Sequence, residues 1–273
     1  MEYYTSCFIQ ACHQLGYPYH ILHSGNNTLK IILPHKDTYI INGHGEWLSD
    51  HHREICLDKD IQINIIGSHL FPKTLSACDP YLSSMYQSYA SQTSYTEIIQ
   101  TWEKTFSYPF IIKPNRGAQG INVQIIHNQE QALQAITNIF YQDQRYYDYI
   151  ALGQEYLNIK KEYRVICLDG TIEMILEKDV SQAQYTGNIS PLHWTGATVI
   201  WKTDVVLYDI MEKIVSEVFS SLHLTFGGLD IVQTQDNQFY LLEINAHPGF
   251  RLFRKVYGDK PLISLYTKLL QRL

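Results

Sequence analysis

Two adjacent stretches, Gly228-Leu229-Asp230-Ile231-Val232 and Tyr240-Leu241-Leu242-Glu243-Ile244-Asn245-Ala246-His247-Pro248-Gly249, decide how this chain is read. Alternate residues of a strand face the same way, so Glu243 and Asn245 point together. The turn Gln235-Asp236-Asn237-Gln238 folds their strand back beside the one carrying Asp230. Two carboxylates and an amide oxygen are thereby aimed at one point. Such hard oxygen donors suit Mg²⁺, which keeps waters and takes further ligands from nucleotide phosphates, with Mn²⁺ as the substitute of similar taste. An ordinary hairpin with solvated acids would account for Asp230 alone. It does not explain why Glu243 and Asn245 interrupt an apolar strand at its end and run into a His-Pro-Gly turn. Asp230, Glu243 and Asn245 are therefore the expected metal ligands.

A phosphate cradle is expected at Phe110-Ile111-Ile112-Lys113-Pro114-Asn115-Arg116-Gly117-Ala118-Gln119-Gly120-Ile121-Asn122-Val123. Apolar residues lead into a lysine, then a small-residue loop, then a second β-rich run. Gly117 and Gly120 let backbone amides approach phosphate oxygens, and Lys113 adds a point charge. A loop with two glycines is more often a plain hairpin turn. Its place ahead of the acidic hairpin resembles that of the flexible loop that covers ATP in the ATP-grasp superfamily.

These segments resemble the ATP-grasp superfamily of carboxylate-amine ligases, whose late segment reads D, about a dozen residues, then L-E-x-N-x-x-P-G. Pro248-Gly249-Phe250-Arg251 looks most like the ligase module of cyanophycin synthetase and of the bifunctional glutathione synthetases, and Gln238 to Glu243 also reads like D-alanine:D-alanine ligase. The resemblance covers residues 58 to 273. It implies an α/β (α+β) ATP-grasp fold, two α+β subdomains clasping ATP, here preceded by a shortened N-terminal α/β piece.

Further assignments follow from that resemblance. In Ile150 to Val165, Glu155 to Leu157 would offer backbone groups to adenine, and Glu162 would accept bonds from the ribose. Gln154 stands where relatives have glutamate, and its amide oxygen can still accept from the adenine amino group. Lys59, opening a helix that ends at Gly67, is assigned to the ATP phosphates, and Lys73 to the surface. Lys178 and Asn188 lie where relatives place phosphate and substrate contacts. Arg251 is assigned to the acyl phosphate or an acidic substrate through its planar fork. Solvated polar loops and strand faces are the bland alternatives for all of these, as is a surface arginine near Asp259 for Arg251.

Lys+Arg 21 against Asp+Glu 27 leaves no basic excess, which argues against nucleic acid as principal partner. Twenty-one tyrosines without interleaved basic residues suit core and interfaces better than base stacking. Five cysteines, odd in number and without a C-x-x-C pair, point to a reducing cytoplasm. No apolar run approaches the ~20 residues a bilayer span needs, so no membrane is expected. His44, His51 and His52 share no register that would gather them round a metal.

Three pieces are expected along the chain: a short N-terminal α/β domain at 1–57, a lysine helix and linker at 58–108, and the ATP-grasp domain at 109–273. The implied activity is amide formation between a small-molecule carboxylate and an amine through an acyl phosphate, with ATP and magnesium, and a homodimer is left open. An ATP-binding regulator without ligation and a small-molecule kinase are the alternatives on the same fold.

Overall fold

Local signals in the sequence account for where the helices start and stop. In the computed structural model, which describes residues 3–142 and 145–273, the chain opens with α1 (Tyr3–Leu15) and three short strands, β1 (Tyr19–Ile21), β2 (Thr28–Ile32) and β3 (Asp37–Ile41). Helices α2 (Asp50–Leu57) and α3 (Lys59–Ile66) follow. Asp58 caps α3 by accepting the Ile61 N–H at 2.9 Å, and Gly67 ends it at φ +117°, a conformation few other residues adopt.

The next elements are β4 (Thr74–Cys78), α4 (Tyr95–Glu103), β5 (Phe110–Pro114), β6 (Gln124–Ile126), α5 (Gln129–Ile139) and β7 (Ile150–Glu155). They make an antiparallel sheet in the order β4-β7-β5-β6, with α4 and α5 on one face. Segment 58–108 is thus no mere connection. Its β4 is an edge strand of this sheet, and Ile98, Ile99 and Trp102 of α4 enter its core.

The remaining elements are β8 (Ile159–Leu168), β9 (Thr171–Asp179), β10 (Thr198–Lys202), α6 (Val205–Leu222), β11 (Phe226–Thr234), β12 (Phe239–Asn245), α7 (Arg251–Tyr257) and α8 (Lys260–Leu270). Their strands form an antiparallel sheet in the order β10-β9-β8-β11-β12. With helices packed on antiparallel sheets, the class is α+β.

The two faces of this five-stranded sheet differ. Tyr163, Val165, Cys167, Ile175, Leu229, Ile231 and Ile244 share one core with α6 and with Ile55 and Ile66 of α2 and α3. On the other face, Ile166, Leu168, Met174, Leu176 and Phe226 lie in a core shared with α1, the β1–β3 sheet, α7 and α8. There Phe8 stacks on Tyr266 at 4.2 Å between ring centroids, a burial that contributes about 1.5–3 kcal/mol for a side chain of that size. Strand alternation continues this second face past the cover, where it turns charged: Glu162, Arg164, Lys178, Asp230 and Glu243 all stand on it. Polar groups gather where the packing stops and a cleft begins.

Candidate active site

The cleft lies between the two larger sheets and measures about 1140 Å³. On the four-stranded side, Lys113 is the next-to-last residue of β5 and is 7% exposed. Its Nζ donates to Gln154 Oε1 at 3.0 Å, and Gln154 Nε2 donates to Thr74 Oγ1 at 2.8 Å. Burial, helped by the nearby Lys59 charge, pushes the Lys113 ammonium down to about 7, against a partial pull upward from Glu243. Lys59, at the start of α3, donates to the Gly117 carbonyl at 2.6 Å and sits 3.4 Å from Glu243 Oε2. It therefore bridges the loop after β5 and the acidic strand β12. Asn115 secures the same loop by accepting the Asp60 N–H at 2.8 Å. At Gly120 (φ +70°) an added Cβ would fall 2.3 Å from Asn188 Oδ1, so this position has no room for a side chain.

On the five-stranded side, Asp230 is held by three bonds. Arg164 donates Nε to Oδ1 at 2.7 Å and Nη2 to Oδ2 at 2.8 Å, a bidentate fork, and Lys178 Nζ donates to Oδ2 at 3.0 Å. Lys178 also donates to Glu162. Burial works against ionisation of Asp230 but is outweighed by Arg164 and Lys178, which hold the carboxyl well below the usual carboxylate range. Burial likewise opposes the Lys178 charge and loses to Asp230 and Glu162, so this ammonium stays charged above the usual lysine range. Glu243 pairs across the ladder with Asp230, and Asn245 Nδ2 donates to Glu243 Oε1 at 3.3 Å.

The donor atoms of Glu243 and Asn245 are oxygens facing the cleft, and an all-oxygen set of this kind suits a hard divalent cation. Asp230 stands beside them, but both of its oxygens already accept from Arg164 and Lys178. No cluster of three or more His, Cys, Asp or Glu side chains with metal-binding geometry occurs among the described residues.

Several expected roles are altered by what the side chains touch. The Gln154 amide oxygen accepts from Lys113 and its nitrogen donates to Thr74, which leaves one lone pair of that oxygen toward the cleft. Glu155 uses its N–H on the Lys73 carbonyl at 2.9 Å and its carboxylate on the Lys73 N–H at 2.5 Å, which extends the β4–β7 ladder by one residue, and Glu155, Tyr156 and Leu157 all line the cleft. Lys73 is exposed. Glu162 is bound to Lys178. Asn188 does not line the cleft: it donates to the Gln119 carbonyl at 2.9 Å and accepts the Ser190 N–H at 2.8 Å, tying its own loop to the tip of the glycine loop. Arg251, the first residue of α7, does line it, and the arginine that pairs with Asp259 is Arg254.

Among the cleft residues left unassigned from the sequence are Arg164, His247 and Tyr3. Arg164 could have been found, since it is two residues from Glu162 on the same strand and must share its face. His247 and Tyr3 carry no local signal. The His247 ring lies 4.3 Å from that of His44 and 5.6 Å from Tyr4, and the Tyr3 hydroxyl accepts the Phe250 N–H at 3.0 Å. His44 thus meets His247 and not His51 or His52, which lie on α2. Burial and His44 together push the His247 imidazole down to about 4.

Two sheets closing on a cleft, one bearing a lysine and glycine loop and the other a buried charge network, define the ATP-grasp architecture. Residues 84–270, more than half the chain, match the family model of the RimK-like ATP-grasp domain, and the chain belongs to that family. Among curated proteins it is similar to the D-alanine–D-alanine ligase of Pediococcus pentosaceus, 24% identical over 149 residues, covering 53% of this chain and 40% of that one. It is also similar to the coenzyme gamma-F420-2:alpha-L-glutamate ligase of Methanococcus maripaludis, 22% identical over 165 residues, covering 57% and 50%. The chain therefore spans half or less of the length of these relatives. In fold it resembles the bifunctional glutathione synthetase of Pasteurella multocida, with a TM-score of 0.60 at 14% identity over 98% of this chain and 43% of that one. No helix among the described residues is long and apolar enough to cross a membrane.

Proposed function

We propose that this chain is an ATP-dependent ligase that joins a carboxylate to an amine through an acyl phosphate, releasing ADP and phosphate. The observation that carries this is the division of charge across one cleft: Lys59 and Lys113 on the glycine-loop side face Glu243, Asn245 and the Arg164–Asp230–Lys178–Glu162 network. Membership of a family whose relatives are ligases supports the same reading.

In this proposal Lys113 and Lys59 hold the transferring phosphoryl group, and the backbone after Pro114 lies along the nucleotide phosphates. A divalent cation held by Glu243 and Asn245, with Asp230 beside them, would supply a further positive charge against the phosphate oxygens. One carboxylate oxygen of the substrate takes the phosphoryl group as the bond to ADP breaks. The amine nitrogen then attacks the acyl carbon, phosphate leaves with the C–O bond electrons, and the nitrogen loses a proton. No nucleophilic side chain is required. Arg251, which lines the cleft, would steady oxygens that gain charge in both steps, and the Asn188–Gln119 bond between loops would help to keep water from the acyl phosphate.

ADP release measured over panels of carboxylates, with and without an amine, tests the proposal. ADP appearing only with a carboxylate, together with an amide product when amine is added, is the expected result. ADP released equally without any carboxylate, or a stable phosphorylated alcohol as product, would overturn it.

A further inference from the structure

Beyond the charged network the cleft changes character. Its far end is lined by Tyr3, Leu176, Leu192, Trp194, Val199 and Leu252. Leu176 and Val199 belong to the core shared with α1 and α8, and Tyr3, Leu192 and Leu252 pack against that core while still lining the cleft. The core therefore surfaces inside the site as an apolar floor. Past Leu192, Trp194 and Leu252 the space continues into a more polar side pocket of about 400 Å³, where His193, Thr198 and Lys255 join Ala197 and Val256.

Arg251 borders both spaces. Arg254 is neutralised by Asp259 and Lys202 by Glu177 at 3.2 Å, whereas Arg251, and Lys255 beside it on the side pocket, have no ion-pair or hydrogen-bond partner among the described residues. An unpaired guanidinium that borders the apolar floor is complementary to a carboxylate joined to a bulky apolar group, while Lys255 lies on the side pocket and does not line the main cleft. The whole cleft, at about 1140 Å³, exceeds the roughly 300–1,000 Å³ that holds one drug-sized ligand, which leaves room for such a group beside a nucleotide.

We infer that the carboxylate substrate carries an aromatic or branched aliphatic side chain, seated on Leu176, Leu192, Trp194, Val199 and Leu252 with its carboxylate on Arg251. The inference rests on the ligase reading and narrows it to a substrate class. A small side chain would leave the floor wet, and an acidic one drawn toward Lys255 in the side pocket would leave it uncovered. Burying a phenyl or isobutyl group there favours it by about tenfold to a hundredfold over hydrogen at the same position.

The test is calorimetric titration of phenylalanine, leucine, glutamate and glycine into the chain already loaded with Mg²⁺ and a non-hydrolysable ATP analogue. Phenylalanine or leucine should bind at least tenfold tighter than glycine and glutamate. In Leu192→Asp, which alters a half-buried loop residue, that preference should vanish while the melting temperature and analogue affinity hold. Equal or tighter binding of glycine or glutamate, or no carboxylate binding to the loaded chain, would overturn the inference and leave nucleotide binding standing. Failure of the analogue to bind at all would overturn the ligase reading, and this inference with it.

Discussion

Two lysines face each other across the cleft in opposite electrostatic states, although they are buried alike. Lys113 and Lys178 are 7% and 6% exposed. Lys113 meets a neutral amide, Gln154, and its ammonium falls to about 7, while Lys178 lies between Asp230 and Glu162 and keeps its charge. Burial costs both the same kind of desolvation, so the partners decide. The five-stranded side is neutralised from within. The four-stranded side is not, and in the proposed function the anion that completes it is a nucleotide phosphate at Lys113.

Removing each lysine should separate the two sides most sharply. Lys178→Met strands Glu162 and part of Asp230 in a buried place, and destabilisation of roughly 3–5 kcal/mol is expected in urea unfolding. Lys113→Met removes an amine with only a neutral partner and should change stability by under about 1.5 kcal/mol. ATP binding should nevertheless fail in Lys113→Met. Equal losses of stability in the two variants would break the comparison.

Glu243→Gln keeps volume and removes one charge at the strand end. Turnover should drop roughly a hundredfold to a thousandfold with the melting temperature little changed. Retention of activity within a few-fold would take the cation away from Glu243.

Arg251→Lys keeps the charge and loses the fork. ATP affinity should stay nearly constant while ligation falls by roughly tenfold to a thousandfold. A proportionate loss in both would move Arg251 to the nucleotide.

A smaller effect concerns pH. Below about 7 the Lys113 ammonium is already protonated and meets phosphate directly. Above it, binding has to take up a proton, so ATP affinity should weaken as pH rises, by at most about tenfold per unit. Gln154→Glu gives Lys113 a carboxylate partner and should move that decline to higher pH. Calorimetry at pH 6, 7 and 8 in buffers of different ionisation heat checks both the slope and the proton uptake.

What the sequence disclosed and what it hid divide along the same lines. The β11–β12 hairpin, the Asp58-capped helix and the strand entering the glycine loop were legible, because alternation, caps and turn residues are local. Glu162 and Lys178 could be named, but not that they bind one another, since their partnership depends on β8 and β9 pairing in one register. Gln154 is legible as an adenine contact, but its bonds to Lys113 and Thr74, which lie 41 and 80 residues away, are not. The N-terminal piece was least legible. Tyr3, Tyr4 and His44 reach the His247–Phe250 turn through packing between chain segments more than 200 residues apart, and no periodicity encodes that.

The central claim is that the four-stranded side awaits a nucleotide whose phosphates a divalent cation shares with Glu243 and Asn245. Titrating ATP into the wild-type chain at pH 7, with Mg²⁺ and then with chelator, tests it directly. Saturable binding at one site per chain that weakens at least about tenfold without the cation is predicted. Absence of ATP binding in the presence of Mg²⁺ would contradict the account.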